Sequence, residues 1–150
     1  MRKIGFALTA LALMLATPSA FAADAAQMEA NKKAAMEFYE AAINKKDFDA
    51  ASKFLGNRYT QHNPGAADGP EGLKAFLAFL KDKFPQYHSD IKRAFADGDY
   101  VILHVHNIPT PGARGRAIMD IFKFENGKVV EHWDVAQDIP ETPRNNNTMF

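Results

Sequence analysis

A carboxylate stands in the middle of an apolar strand pattern, at Asp120 within the segment Arg116–Phe124. Because burial disfavours the charged form of a carboxyl group, such a residue either keeps its proton or acquires a partner. Asp120 is therefore either a structural acid satisfied by its neighbours or an acid/base with a tuned pKa. Which of the two it is decides whether the protein performs chemistry.

Histidines are the natural partners for such a carboxylate, because imidazole accepts and releases protons near neutral pH. Side chains alternate across a strand, so His104 and His106 share one face of their strand, and the opposite face is wholly apolar. His104 or His62 beside Asp120 would form a proton-transfer pair. The alternative is that Asp120 has only a structural role and forms a hydrogen bond with a histidine or with Trp133.

The pair His104-x-His106 also permits a second interpretation, in which both rings bind a metal with Asp120 or His62 completing the site. Two histidines at this spacing are common by chance. We therefore predict no metal ligand and keep the metal site as the less favoured alternative.

Hydrogen-bonding side chains are dense in the short segment Tyr59–Pro64, which we expect to form a loop-like bend. Turn formation explains the residues Asn63-Pro64-Gly65. It leaves Gln61 and His62 unexplained, so these two are the better candidates for a pocket. His88 and His132 are expected to be surface or capping residues.

The elements that must position these residues follow from the hydrophobic period. Helical spacing predicts three helices, at 27–44, from Asp47 to Gly56, and from Pro70 to just before Pro85. The second half changes to strand alternation, with four strands predicted at 88–96, 100–108, 116–124 and 128–137. Asn126-Gly127 is a strong signal for a tight hairpin between the last two. This order favours an α+β fold, with helices packed on one face of a curved antiparallel sheet.

The first 22 residues have the build of a secretory signal peptide. Arg2 and Lys3 precede an apolar run that ends in Ala20-Phe21-Ala22, so we expect cleavage after Ala22 and export to the periplasm or the medium. The run is too short to span a bilayer comfortably. The remaining chain, 23–150, has the length of a single domain.

Charge and cysteine content exclude several classes of function. Without Arg2 and Lys3, 16 of the 18 basic side chains remain against 18 acidic ones, a formal charge of about −2. That balance argues against binding to nucleic acid or to an anionic membrane. The chain has no cysteine, which excludes thiol catalysis and thiolate metal sites.

The combination of four motifs resembles the SnoaL-like polyketide cyclase group of the nuclear-transport-factor-2-like superfamily. The motifs are YTQHNP (59–64), HVH (104–106), MDIFKFENGKVVEHWDVAQDIP (119–140) and NNNTMF (145–150). The resemblance covers the chain from about Met28 to Phe150. It implies a cone, in which a strongly curved sheet and its helices enclose a deep and mostly apolar pocket.

The resemblance also implies a site and its chemistry. A pocket aspartate of these cyclases acts as general acid/base without metal or organic cofactor, and Asp120 stands at the matching strand position. Gln61 and His62 resemble the far wall of the pocket, and Trp133 and Gln137 resemble the contribution of the last strand. Pairing of two copies through the open face of the sheet is implied in the same way.

Two functions remain open on this basis. In the first, the protein is a cofactor-free enzyme acting on a small apolar carbonyl compound as a cyclase, isomerase or aldol-type catalyst. Asp120, His62 and His104 would be catalytic, and Gln61, His106, Trp133 and Gln137 would contact the substrate. In the second, the protein binds a small hydrophobic molecule without converting it.

Overall fold

The computed structural model describes residues 20–150, so most of the predicted signal peptide lies outside the described residues. Within that part of the chain, no helix is long and apolar enough to cross a membrane. The helices are α1 (Ala20–Tyr39), continued by a π-helical turn (Glu40–Asn44), α2 (Phe48–Ser52) and α3 (Gly69–Lys83). The strands are β1 (Leu55–Gln61), β2 (His88–Asp97), β3 (Tyr100–Ile108), β4 (Arg116–Glu125) and β5 (Lys128–Asp138).

The five strands form one curved sheet in the order β1-β5-β4-β3-β2. Strands β2 to β5 are antiparallel neighbours, as predicted, and β1 adds a fifth strand parallel to β5. The predicted bend at Tyr59 is therefore strand for its first three residues, up to Gln61. The α+β cone predicted from the sequence is confirmed, with five strands where four were expected.

Local signals explain where the helices begin and end. The carboxylate of Asp47 accepts a hydrogen bond from the Ala50 amide at 2.9 Å and so caps α2. Pro70 occupies the first turn of α3, and the helix ends just before Phe84 and Pro85. These boundaries agree with the sequence predictions, whereas α2 is shorter than expected.

The core lies between the helices and the wholly apolar face of β3. Val101, Leu103 and Val105 are fully buried there, and the ring of Phe38 on α1 packs edge-on against Phe122 of β4. The helices therefore cover the concave face of the sheet. We call the opposite side the outer face, and it carries the alternate residues of every strand.

A β-bulge in β5 sets the register of the two strands that carry the site. Phe124 pairs with Val129, but Lys123 pairs with Glu131, so Val130 is an extra residue on β5. Both Val129 and Val130 are buried. Gly56 of β1 makes room for the bulge, because an added Cβ would lie 2.7 Å from Cγ1 of Val130. Beyond the bulge, the even-numbered residues of β5 face the concave side, whereas the odd-numbered Val129 does so before it.

Candidate functional site

A cavity of about 480 Å³ lies between the concave face of the sheet and helices α1 and α3. Most of its wall is apolar, including Phe38, Leu73, Phe76, Leu80, Ile118 and Phe122. One cluster of polar side chains, on β1, β4 and β5, surrounds Asp120 and forms the polar end of the cavity. A mostly apolar cavity with a few convergent polar groups is the usual form of a small-molecule site.

Asp120 lies in this cavity and is 5% exposed. Its Oδ1 is 3.1 Å from Nε2 of His132, and its Oδ2 is buried without a hydrogen-bond partner among the described residues. Burial raises the pKa of Asp120, and the hydrogen bond to His132 opposes that rise. One oxygen is thus held by His132, while the other is buried without a partner.

The hydrogen bond at the second ring nitrogen of His132 determines how many protons His132 and Asp120 share. Nδ1 of His132 is 3.1 Å from Oε1 of Gln61, and that oxygen also accepts the Asn63 amide hydrogen at 2.9 Å. The Asn63 contact identifies the oxygen of the Gln61 side chain, so Nδ1 of His132 carries a hydrogen. One further proton then lies between His132 Nε2 and Asp120 Oδ1. The pair is either an imidazolium with a carboxylate or two neutral groups.

Gln61 is held at both its backbone and its side chain. Its amide nitrogen donates to Oδ1 of Asp68 at 2.8 Å, and its Nε2 donates to the Tyr59 hydroxyl at 3.3 Å. The ring of His132 also lies over that of Phe122, with centroids 4.9 Å apart. The acid, the imidazole and the amide therefore have little freedom to rotate.

Asp134 is the second carboxylate of the cavity and pairs directly across the sheet with Asp120. Nδ2 of Asn63 donates to both of its oxygens, at 2.7 and 2.8 Å. Oδ1 of Asn63 accepts the Gly65 amide, which fixes the direction of the Asn63 side chain. The charge of Asp134 contributes to raising the pKa of Asp120, because a nearby negative charge disfavours ionisation of that carboxyl group.

Two phenols complete the polar end. Burial, and then the charge of Asp120, raises the pKa of both Tyr39 and Tyr59 well above the usual range. Both hydroxyls therefore keep their protons at all physiological pH values. The side chain of Tyr39 also lowers the pKa of the Asp120 carboxyl group, although it makes no hydrogen bond to Oδ2 among the described contacts. Tyr59 accepts from Gln61, so its own hydrogen is available to donate to a ligand in the cavity.

Of the predicted site residues, the structure places Asp120 and Gln61 in the cavity wall and the other five elsewhere. His62 points to the outer face, where its ring stacks on Trp133 at a centroid distance of 4.2 Å and its Nε2 is 3.1 Å from Glu131 Oε2. Gln137 is exposed and pairs across the sheet with Ala117. The predicted contact of His62 with Asp120 is therefore not formed.

His104 and His106 also lie on the outer face, because the apolar face of β3 is the one that covers the cavity. Their rings contact Phe150, with centroids at 5.4 and 4.6 Å. Leu103, not His104, pairs with Asp120 and shares its face. The alternative metal site of His104, His106 and Asp120 is excluded, since its members lie on opposite sides of the sheet.

Several polar cavity residues escaped prediction, among them Asn63, His132 and Asp134. His132 was expected at the surface but is only 8% exposed. Asn63 continues the alternation of Tyr59 and Gln61, and that period was a usable signal. The position of His132 and Asp134 could not be predicted from strand alternation, because of the bulge at Val130. A hairpin without that bulge would have paired Asp120 with Trp133.

Asp120, His132 and Asp134 also offer one ligand atom each within 4.8 Å of one another, as a metal site would require. Both ring nitrogens of His132 are already occupied by Asp120 and Gln61. A cation at this place would have to displace at least one of those hydrogen bonds. The arrangement fits proton transfer without such a rearrangement.

Comparison with known proteins agrees with this architecture. TsrD from Streptomyces laurentii superposes with a TM-score of 0.61 at 24% identity, covering 71% of this chain and 88% of its own. A nuclear-transport-factor-2-like protein from Burkholderia xenovorans has a TM-score of 0.60 at 20% identity, covering 79% and 91%. A SnoaL-like protein from Burkholderia thailandensis has a TM-score of 0.58 at 19% identity, covering 73% and 95%. A search among curated protein sequences found no match.

The model of the SnoaL-like polyketide cyclase family matches residues 33–141. That match includes the cavity-lining end of α1, the whole of α3, all five strands, and every residue of the polar end. The chain belongs to the SnoaL-like polyketide cyclase family and has the nuclear-transport-factor-2-like fold.

Proposed function

We propose that the protein is a cofactor-free acid/base enzyme that acts on a small, largely apolar carbonyl compound, as a cyclase, isomerase or aldol-type catalyst. One observation carries the proposal: Asp120 is buried in an apolar cavity with Oδ1 held by His132 and Oδ2 free of any partner among the described residues. A carboxylate serving only a structural role would have both oxygens satisfied.

The reaction begins at Oδ2. The ionised form of Asp120 removes a proton from the carbon next to the substrate carbonyl, and the electron pair of that C–H bond forms a double bond to the carbonyl carbon. The carbonyl π electrons move to its oxygen, giving an enolate. In ring closure the enolate attacks a second carbonyl carbon, the π electrons of that carbonyl move to its oxygen, and the resulting alkoxide takes the proton from Asp120. In a β,γ-unsaturated substrate the enolate is a dienolate, which instead takes the proton from Asp120 at its γ-carbon.

The surrounding groups favour each of these changes. Desolvation makes the Asp120 carboxylate a stronger base than one in water. The Tyr59 hydroxyl, whose hydrogen is not used within the described network, can donate to the enolate oxygen. His132 holds Asp120 in place through Oδ1, so Oδ2 needs no reorientation during the reaction.

The test is exchange of α-hydrogens for deuterium, which reports proton abstraction even before the natural substrate is identified. Cyclic apolar ketones such as 2-decalone are incubated with protein in deuterated buffer and followed by proton NMR. We expect Asp120→Asn to lower the protein-dependent exchange rate by about 10²- to 10⁴-fold. Asp90→Asn, on the outer face, is the matched control and should exchange at the wild-type rate.

Equal exchange by wild type and Asp120→Asn would remove Asp120 from the mechanism. The binding of the same ketone, measured by calorimetry, should change little in Asp120→Asn, because most of the contact area is apolar. Binding by the wild type without any exchange would favour the second candidate, a protein that holds a hydrophobic molecule without converting it. The largely apolar wall of the cavity supports that alternative.

Export is part of the proposal and is supported by the sequence of the first 22 residues. The protein would then act in the periplasm or the medium. Amino-terminal sequencing of the protein from a bacterial host should begin at Ala23. A chain that still begins at Met1 and stays in the cytoplasm would contradict export.

We further propose a homodimer formed through the outer face of the sheet. Phe95, Tyr100 and Val135 expose 53%, 42% and 69% of their surface there, beside Ile121 and Trp133. An apolar patch of this kind on a sheet is typical of an interface. Light scattering should give twice the mass of the mature chain, and Val135→Asp should return it to the mass of a monomer.

A further inference from the structure

Arg116 is the only lysine or arginine among the described residues that line the cavity. Arg116 begins β4 and shares the concave face with Ile118 and Asp120 by strand alternation. Asp120 lies four positions further along the strand, which is ~13 Å at ~3.3 Å per residue. The cavity thus has an acid/base end and a cationic end.

The guanidinium of Arg116 is weakly engaged by the protein itself. Its nearest carboxylate is Asp138, whose Oδ1 is 3.8 Å from Nε and whose side chain is 88% exposed. Arg58, by contrast, makes two bonds of 2.7 Å to the two oxygens of Glu125. A long, exposed ion pair such as that of Arg116 contributes little. Most donors of this guanidinium are therefore free to bind a ligand.

Tyr87 lines the same end of the cavity and adds a second donor. Nζ of Lys46 donates to the Tyr87 carbonyl oxygen at 2.7 Å and holds its backbone in place. Burial raises the pKa of the Tyr87 phenol, and the charge of Arg116 opposes that rise. The phenol keeps its hydrogen and can donate it to an anion beside Arg116.

We propose that the ligand is an apolar ring compound with a carboxylate at one end, which Arg116 and Tyr87 bind. The planar guanidinium fork of arginine matches a carboxylate. Asp134 lies at the opposite end and repels an anion there, so the charge distribution orients the ligand in one direction. The placement of the ligand's carbonyl beside Asp120 rests on the proposed function, whereas recognition of the carboxylate does not.

The probes are biphenyl-4-carboxylate and its neutral isostere biphenyl-4-carboxamide, with affinities for the purified protein measured by isothermal titration calorimetry. The wild type should prefer the carboxylate by about tenfold, the usual effect of one charge-assisted hydrogen-bonded pair. Arg116→Gln should abolish this preference and leave carboxamide binding unchanged, which also shows that the variant is folded. Tyr87→Phe should reduce the preference by about threefold.

Two further variants give opposite controls. Arg93→Gln removes a guanidinium from the outer face, where Arg93 pairs with His104, and should leave the preference intact. Asp138→Asn removes the carboxylate that competes for Arg116 and should strengthen carboxylate binding.

A wild type that fails to bind the carboxylate more tightly than the carboxamide overturns the proposal, whether or not it binds either. A preference that survives in Arg116→Gln overturns it as well. Asp120→Asn should keep the full preference, because binding at the cationic end requires no chemistry. Loss of deuterium exchange and loss of carboxylate preference therefore report on different residues, and either proposal can fail alone.

Discussion

The two faces of the sheet carry the same kinds of side chain and use them differently. On the concave face, Asp120, His132 and Gln61 are joined by directed hydrogen bonds in an apolar surrounding. On the outer face, His62 contacts Glu131 and Trp133 and keeps 35% of its side chain exposed to water. Both faces thus contain a histidine, a carboxylate and an aromatic ring within one cluster.

The two clusters differ in how burial changes the pKa of their carboxyl groups. Around Glu131, hydrogen bonds from His62 and Lys123 lower the pKa of the carboxyl group to about 2, so it stays ionised. Around Asp120, burial raises the pKa and keeps a proton within reach. A carboxylate that never takes a proton cannot act as an acid/base near neutral pH. Burial, and not the presence of a histidine, separates the two clusters.

The largest contrast between the faces should appear in stability. Phe122→Ala removes a ring that is 1% exposed and packs on Phe38 and His132. We expect a loss of about 3–5 kcal/mol in the free energy of unfolding, measured by urea denaturation, because the cavity left behind cannot collapse fully. Val135→Ala on the outer face should change it by less than about 0.5 kcal/mol in the monomer. Similar losses in both variants would contradict the assignment of the core to the concave face.

The pH dependence of stability should have opposite signs at the two faces. The pKa of Asp120 in the folded protein lies above its ordinary value of 3.8, so the folded state holds this proton more tightly than the unfolded state. Stability linked to that proton is complete below pH 3.8 and is lost as the pH rises through the folded-state pKa. Asp120→Asn lacks this loss and should gain stability relative to wild type as the pH rises. The gain is about 1.4 kcal/mol for each pH unit that separates the pKa of the folded state from that of the unfolded state.

Asp90 on the outer face supplies the counterpart. Its hydrogen bond with His88 lowers the pKa of the Asp90 carboxyl group, so its contribution is present at higher pH and is lost as the pH falls. Asp90→Asn should therefore lose stability relative to wild type as the pH rises from acid to neutral. Thermal unfolding of wild type and the two variants from acid to neutral pH would show the two opposite slopes. Parallel slopes would mean that Asp120 is not desolvated.

A smaller effect than that of Phe122→Ala is expected at the end of the chain. Phe150 contacts the rings of His104 and His106, and Nζ of Lys92 lies 5.7 Å from its ring centroid. Phe150→Ala should lower the free energy of unfolding by about 0.5–1.5 kcal/mol, the usual contribution of an aromatic contact. It should leave deuterium exchange in the cavity unchanged, since none of these residues lines it. A large loss of exchange would show that the outer face participates in the reaction.

The elements of the fold could be predicted because their signals are local. Pro70, Pro85 and Asp47 mark helix ends through their own geometry, and Asn126-Gly127 forms a tight turn with both φ angles positive, at 51° and 72°. The position of Asp120 was also predictable, since a lone carboxylate within an apolar strand is visible in the sequence. These signals need no knowledge of distant partners.

The partner of Asp120 could not be predicted, because register is not a local property. Two strands joined by Asn126-Gly127 without interruption would place Trp133 opposite Asp120, and the even-numbered residues of β5 would then face outward. The extra residue Val130 shifts the pairing by one position. Because side chains alternate between the two faces of a strand, a shift by one position moves each side chain of β5 beyond the bulge to the other face. Nothing in the sequence around Val130 distinguishes a bulge from regular strand.

Because of the bulge, a deletion of one residue in β5 should be far more harmful than a substitution there. Removal of the single codon for Val130 would leave every polar residue of β5 in the chain and yet send Trp133 inward and His132 and Asp134 out to solvent. Most substitutions in this strand alter one contact, whereas this deletion would exchange all the β5 side chains beyond the bulge that line the concave face. Lineages of this protein should therefore tolerate replacement at position 130 far more readily than a change in the length of the strand.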